Sequence, residues 1–451
     1  MVDLTTRPSS LIENHSLVRE LLRTHGPEPL VEIRDRAFQK FRDLGVPTTR
    51  DEEFKYISLR TLEDSRFAPA YGATLDRQQL AAAPLGTLDA TTLTFLNGEF
   101  SPELSSDEAL PDGLFVGSLH EGFSVYPDLV LQHLGSIATL NGRLGSSNDE
   151  RFVYLNTAYL GEGAFVYAQR GVVAARPIHI QWVAVADHGL FVAHPRTLVV
   201  LEDGAQVKLV ESYSGLKGTY FTNAVTEAWI GPGAILEATK FQQEAPESIH
   251  IATVAVHQEA GSTLTSNNVN FGGRVVRNDV NVWLNGEHTE TWLNGASVGL
   301  GTQVVDNHTR IDHAKPNCHS FETYKAILGG RATGVFNGKI FVYEDAQKTD
   351  AKQTNQAILL SPTATINTKP QLEIFADDVK CTHGATVGRL REDALFYLRS
   401  RGIPQRHAEA LLVFAFAAEV IEKITVDGAR EALERVLFQR LRSEEGSGLE
   451  E

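Results

Sequence analysis

The chain has 451 residues, of which 42% are hydrophobic and 22% charged, the proportions of a folded globular protein and not of a disordered one. That length exceeds one ordinary core and predicts two or three structural units. Acidic residues outnumber basic ones 57 to 41, giving a formal net charge of −16; such a surface repels phosphate backbones and anionic lipid, which argues against nucleic acid or membrane headgroups as main partners.

The longest near-continuous apolar run, residues 410–418, is about half the roughly 20 residues that a bilayer-spanning helix needs. The first residues lack the basic-then-apolar order of a secretory leader. Only two cysteines occur, Cys318 and Cys381, and neither lies in a C-x-x-C. A disulfide framework and a four-cysteine zinc site are thereby excluded, and a cytoplasmic location is expected.

In chain order, residues 11–22 and 31–44 carry apolar residues at three- and four-residue spacing, broken at Gly26-Pro27 and closed at Gly45, and predict helices. The charged stretch 49–56, with Phe54 and Tyr56, reads as a solvated helix start with an aromatic anchor. From about Thr91 the pattern shifts toward alternation, as in Leu93-Thr94-Phe95-Leu96 before Asn97-Gly98, and a helix is predicted over 127–138.

Between about 154 and 379 short β-forming runs alternate with Gly, Asn and Asp, for example Ile178-His179-Ile180, Leu198-Val199-Val200-Leu201 and Val207-Lys208-Leu209-Val210. No helix-length periodic segment separates them, which argues against a βαβ sheet. A unit of strand, Gly-plus-small turn and strand recurs at Gly204-Ala205, Gly233-Ala234 and Gly261-Ser262, with a looser copy at Gly286, in steps of 29, 28 and 25 residues. A solenoid coil must return to the same corner each turn, whereas a β-sandwich, the competing architecture, has no reason to repeat. The expected fold is mainly β: a right-handed parallel β-helix over 156–387, an N-terminal domain over 1–155 that is helical to about 85 and then mixed, and a C-terminal helical domain over 388–451.

After Gly388 the helical period returns. Glu392 and Asp393 open one helix and Arg399 and Arg401 close it, with Gly402 in the C′ position. Pro404 begins a second helix to about Lys423, whose segment 411–416 is apolar nearly all round and must be covered by its own domain or a partner. A third helix is predicted over 428–441, followed by a disordered tail from 443.

No G-x-x-x-x-G-K-[ST] is present: near Gly334 and Gly338-Lys339 the spacing is wrong and Ile340 stands where a Mg²⁺-binding hydroxyl is needed. No G-x-G-x-x-G opens a helix, and G-x-S-x-G and H-E-x-x-H are missing. Any ATP hydrolysis therefore belongs to another chain. Two clusters of soft or borderline donors remain. In one, His308, His313, Cys318 and His319 lie within a dozen residues without metal-ligand spacing, and histidines serving solenoid corners are the simpler account. In the other, Cys381 and His383 at i, i+2 on a strand share one face, roughly 7 Å apart. That pair suits iron or zinc but is too few to hold an iron–sulfur cluster unaided. A packed thiol beside an ordinary histidine fits the same pattern.

The run Asp312-His313-Ala314-Lys315-Pro316-Asn317-Cys318-His319-Ser320, then Phe336-Asn337-Gly338, then Lys348-Thr349-Asp350-Ala351-Lys352-Gln353-Thr354-Asn355, resembles the SufB/SufD family of iron–sulfur cluster assembly proteins. So do Thr368-Lys369-Pro370-Gln371-Leu372-Glu373-Ile374, the stretch 378–388, the helical stretch 395–403 and, more thinly, Arg50-Asp51-Glu52-Glu53-Phe54-Lys55-Tyr56. The resemblance is dense over about 154–424. Thr-His-Gly after Cys381, in place of Glu-His-Glu, puts the pattern on the SufD side of the family.

The resemblance implies a β-helix between helical terminal domains and a non-ATPase scaffold role in a cytosolic complex with a SufB-like paralogue and two copies of a SufC-like ABC ATPase. It implies that the ATPase docks on the region 393–424, where Tyr397, Leu398, Arg401, Ile403, Leu411, Leu412, Phe414 and Phe416 are the candidate contacts. His383 is the candidate cluster or metal ligand at the interface with the paralogue, with Cys381 beside it. His313, Cys318 and His319 are weaker metal candidates. No permanent cofactor is expected, only transient iron or a nascent cluster; without partners, strand edges near the end of the solenoid allow a homodimer. The rival from another class is a β-helix enzyme acting on carbohydrate or acyl groups, since fold does not fix function.

Overall fold

The computed structural model describes residues 9–22, 26–138, 150–185, 189–215 and 218–443. Its centre is a parallel β-solenoid of eight coils, each giving one long strand to each of two sheets. The first coil holds Ala164–Ala168 and Ile178–Ala184; the last holds Thr365–Ile374 and Lys380–Gly388. In one sheet Ile235 lies opposite Gln206, Thr263 opposite Ile235, Glu290 opposite Thr263, His319 opposite Glu290, Asp350 opposite His319 and Lys380 opposite Asp350. A coil thus takes between 27 and 31 residues in that sheet.

The corner between the two sheets needs a left-handed residue, and Gly204, Gly233 and Gly261 supply it at φ 68°, 65° and 68°. The fourth copy of the repeat is not centred on Gly286. The left-handed corner residue is His288 at φ 58°, followed one coil later by Asn317 at 61° and then by Lys348 at 64°. Gly286 is needed for another reason: a Cβ there would stand 1.9 Å from the Ala260 nitrogen of the preceding coil.

Alternate side chains point into the solenoid, where Val207, Leu209, Leu236, Leu264, Val282 and Ile311 form the main core. The interior also holds polar side chains. Lys240 is buried there, its Nζ donating to Asn278 Oδ1 at 2.6 Å, and burial pulls it down to about 7.

The N-terminal helices His15–Leu22 and Glu28–Leu44 and the helix Arg151–Ala158 cover the outer face of one sheet. Phe41, Phe54, Phe67 and Phe152 pack there on Phe221, Ile249 and Ile251. Gly45, at φ 67°, ends the second of these helices as its sequence requires. The predicted helix over 127–138 is the shorter Pro127–His133. Two strands of this region extend the sheets: Thr91–Leu96 runs parallel to Ile178–Ala184, and Leu114–Ser118 antiparallel to Ala164–Ala168. They cover the first coil.

The stretch 49–56 is the solvated helix start with an aromatic anchor that its sequence predicts, Arg50, Glu52, Lys55 and Tyr56 being exposed around the short helix Glu52–Phe54, and it is fastened to the solenoid as well. Phe54 is a buried anchor beneath the Arg277 guanidinium, 4.1 Å from its ring centre. Glu53 is drawn in with it, its Oε2 3.1 Å from His308 Nδ1. His308 Nε2 lies 2.9 Å from Asp306, and Arg277 pairs with Asp279 and Asp306 at 2.7 and 2.9 Å. The segment is a strap fastened to the outer face of the sheet.

The C-terminal helices Gln405–Ile421 and Asp427–Ser443 fold back over the other sheet. Val413, Ala417, Ile421, Leu433 and Leu437 pack on Val210, Phe241, Val269, Val298 and Ile327. Each fully buried Val, Leu or Ile there contributes about 1.5–3 kcal/mol. The nearly all-apolar segment is therefore covered on one side by its own chain, while Leu411 stays 46% exposed. The tail beyond Ser443 lies outside the described residues.

Candidate functional site

The two covered faces leave the end of the solenoid bare. Strands Thr365–Ile374 and Lys380–Gly388 close the ladder, and among the described residues their outer edges pair with nothing. Ile374, Phe375 and Val387 are exposed beside them, at 38%, 59% and 47%. A sheet edge of this length, with apolar side chains exposed toward its ends, is a template for pairing with another chain.

Cys381 and His383 lie on this last strand. Their ladder neighbours are Ala351 and Gln353, both buried in the solenoid interior, so the two side chains belong to its inward columns at the open end. The i, i+2 geometry of the pair is therefore present. Cys381 is half-buried against the cluster of Ile340, Val342 and Ala351, and burial, with the Asp350 charge, pushes its thiol up. In the chain alone it is a packed thiol, not a ready thiolate. His383 is exposed. Among the described residues no group of three or more His, Cys, Asp or Glu side chains is arranged to hold a metal ion.

The weaker candidates do not converge. His313 points into the solenoid with its Nε2 2.9 Å from Ser320 Oγ, and burial pulls it down to about 3. Cys318 is buried in the main core, donating to the Gly286 carbonyl at 3.2 Å, and burial pushes its thiol up. His319 begins the next strand on the outward column between Glu290 and Asp350.

Beyond the last strand, helix Glu392–Ser400 has no buried residue. Phe396 is 74% and Tyr397 58% exposed, and the Arg401 guanidinium lies 5.2 Å from the Tyr397 ring centre. Leu398, Ile403, Leu412, Phe414 and Phe416 are half-buried. Phe414 and Phe416 lean on the core under the last two helices. Of the apolar docking candidates, Tyr397 and Leu411 are thus the exposed ones, with Phe396 beside Tyr397.

Gln353 and Glu322, beneath His383 in the same column, were not singled out by the sequence. Their signal was the one-coil spacing, which places Gln353 beside His383 once the register is known.

Compared with known proteins, residues 183–416 match the family model of the SUF system FeS cluster assembly SufBD core domain, and residues 6–180 match that of the SufBD protein N-terminal region. The chain belongs to the SufBD family. It is 34% identical over 404 residues to an iron–sulfur cluster assembly SufBD family protein of Synechocystis, covering 88% of this chain and 87% of that one. It is 32% identical over 406 residues to the iron–sulfur cluster assembly protein SufD of Escherichia coli, covering 89% and 91%. With SufD of Bacillus subtilis it shares 26% identity over 301 residues, 65% of this chain and 68% of that one. These matches do not favour the carbohydrate or acyl enzyme. No helix among the described residues is long and apolar enough to cross a membrane.

Proposed function

We propose that this chain is the SufD-type, non-ATPase scaffold subunit of a SUF iron–sulfur cluster assembly complex, pairing with a SufB-like paralogue and docking a SufC-like ABC ATPase. The observation that carries this reading is the bare solenoid end, where His383 lies on an unpaired strand edge and Ile374, Phe375 and Val387 of the same last coil are exposed. A paralogue of the same fold offers strands of matching length, and joining the two edges satisfies backbone groups that water now holds.

His383 then faces the partner across the joint. One imidazole supplies one bond, so the cargo, iron or a nascent cluster, is completed by ligands of the paralogue, with Cys381 as an auxiliary donor. The exposed helix Glu392–Ser400, with Phe396 and Tyr397, is the seat for the ATPase. Movement of that helix is carried to the last coil through the short link after Gly388, and this couples ATP binding to opening of the joint.

The test is His383→Ala. The complex is expected to assemble in normal amount while cluster formation on it falls by at least about tenfold, the least that losing even an outer-shell partner of a ligand costs. Normal cluster formation by the variant sinks the ligand role.

A further inference from the structure

His383, Gln353 and Glu322 occupy one inward column of successive coils, each the ladder partner of the next. Gln353 and Glu322 are shut in, at 1% and 2% exposed. The Gln353 amide fills the space that a side chain on the facing sheet would take. A Cβ built on Gly338 falls 2.1 Å from Gln353 Nε2, so glycine at that position makes the room. One end of the amide is pinned: Nε2 donates to Glu322 Oε2 at 2.7 Å. The other end, Oε1, is buried and accepts no hydrogen bond.

A buried acceptor without a donor costs about 1–3 kcal/mol. The nearest strand that can supply one is the last, about 4.8 Å away, and its residue in this column is His383. An imidazole that binds a metal through one nitrogen needs the other N–H held by an acceptor, which fixes both tautomer and ring direction.

We propose that Gln353 is the positioning residue of His383: its side-chain carbonyl accepts one ring N–H, so that the other ring nitrogen is presented bare toward the cargo beyond the solenoid end. Glu322 sets the amide's direction by holding its NH₂ group. The carbonyl therefore faces His383 and not the core. This inference rests on the reading of His383 as a cargo ligand, but the contact itself is measured without cargo.

The experiment is ring-¹⁵N histidine NMR on the full chain at one fixed pH, comparing wild type with Gln353→Met. The His383 signals are those absent from His383→Ala. Wild type is expected to show one protonated and one bare ring nitrogen. In Gln353→Met the two shifts are expected to move toward each other, as in an imidazole that exchanges tautomers freely. In the assembled complex the same variant is expected to lower cluster formation about tenfold, at the low end of the effect of losing an outer-shell partner.

Identical His383 shifts in the two proteins overturn the proposal. Should Gln353→Met not fold, as judged by circular dichroism, Glu322→Gln carries the test. Burial holds the Glu322 carboxyl up at about 7, so the variant exchanges the carboxyl that accepts from Nε2 for an amide, a weaker acceptor whose own NH₂ can turn toward Gln353; a partial convergence of the shifts is expected, with no change again contradicting the proposal. Failure of His383→Ala to impair cluster formation would remove the ligand role and leave this contact standing, so the two readings fail separately.

Discussion

Glu227 provides a direct measure of how the N-terminal region is fastened to the solenoid. It sits on the outward face of strand Tyr220–Ile230 and is fully buried, as is its partner Arg196. Its carboxylate pairs with the Arg196 guanidinium and accepts the backbone N–H groups of Gly135, Ala138 and Ile137 at 2.9, 3.0 and 3.3 Å. Arg196 in turn donates to Asn156 Oδ1 and Thr157 Oγ1 of the helix Arg151–Ala158. Glu227→Ala strips the charge from a guanidinium that has no water to turn to, and orphans three amides.

Removing one member of a buried pair costs about 3–5 kcal/mol, which is roughly a hundred- to several-thousand-fold in a local opening constant. Hydrogen exchange of the Gly135, Ile137 and Ala138 amides reads that constant directly. Glu227→Gln keeps the shape without the charge and is expected to lose most of the same protection. If Glu227→Ala leaves these amides as protected as in wild type, the pair is not what fastens this region, and the reasoning is refuted.

Two further outcomes follow from named groups. Burial and Arg277 oppose a charge on His308, but Asp306 and Glu53 on either side outweigh them and hold it above the ordinary imidazole value. Burial works against the Glu53 carboxylate as well, yet His308, Lys339 and Arg277 hold it below the ordinary range. The His308 contribution is complete below about pH 6.5 and fades as pH rises through its raised value; that of Glu53 fades only in acid. Intrinsic-rate-corrected hydrogen exchange at residues 52–56 is therefore expected to quicken between neutral and alkaline pH, and to lose that dependence in His308→Gln; a flat wild-type profile contradicts the strap.

On the exposed helix, Phe396→Ser with Tyr397→Ser is expected to change stability by no more than about 0.5 kcal/mol while cutting recovery of the ATPase at least tenfold. Unchanged recovery places the seat elsewhere.

Much of the fold was legible because a solenoid writes its period into the chain. Gly204, Gly233 and Gly261 mark one corner, and between corners Val, Leu and Ile alternate with polar residues. The legibility fails where chemistry other than glycine does the same work. His288, Asn317 and Lys348 take the left-handed corner at a cost of about 1–2 kcal/mol each, and a glycine count cannot see them; Gly286 was noticed for a turn and is required for a close approach. The aromatic anchor at Phe54 was legible, but the fastening of Glu53 was not, because its partner His308 lies 255 positions away. At the site, Cys381 and His383 announce their shared face by their spacing. Gln353 does not, because its neighbourhood depends on a coil length that only the register supplies. The open end is defined by what fails to cover it, and sequence periodicity carries no record of that.

The central claim is that this chain works as one subunit of a cluster-assembly complex. The most direct measurement is a mild anaerobic pull-down of the tagged chain from its native host, followed by native mass determination of what co-elutes. The account predicts one copy of a SufB-type paralogue and two of an ABC ATPase per chain. A chain that elutes alone or only with copies of itself, with no ATPase recovered, contradicts it.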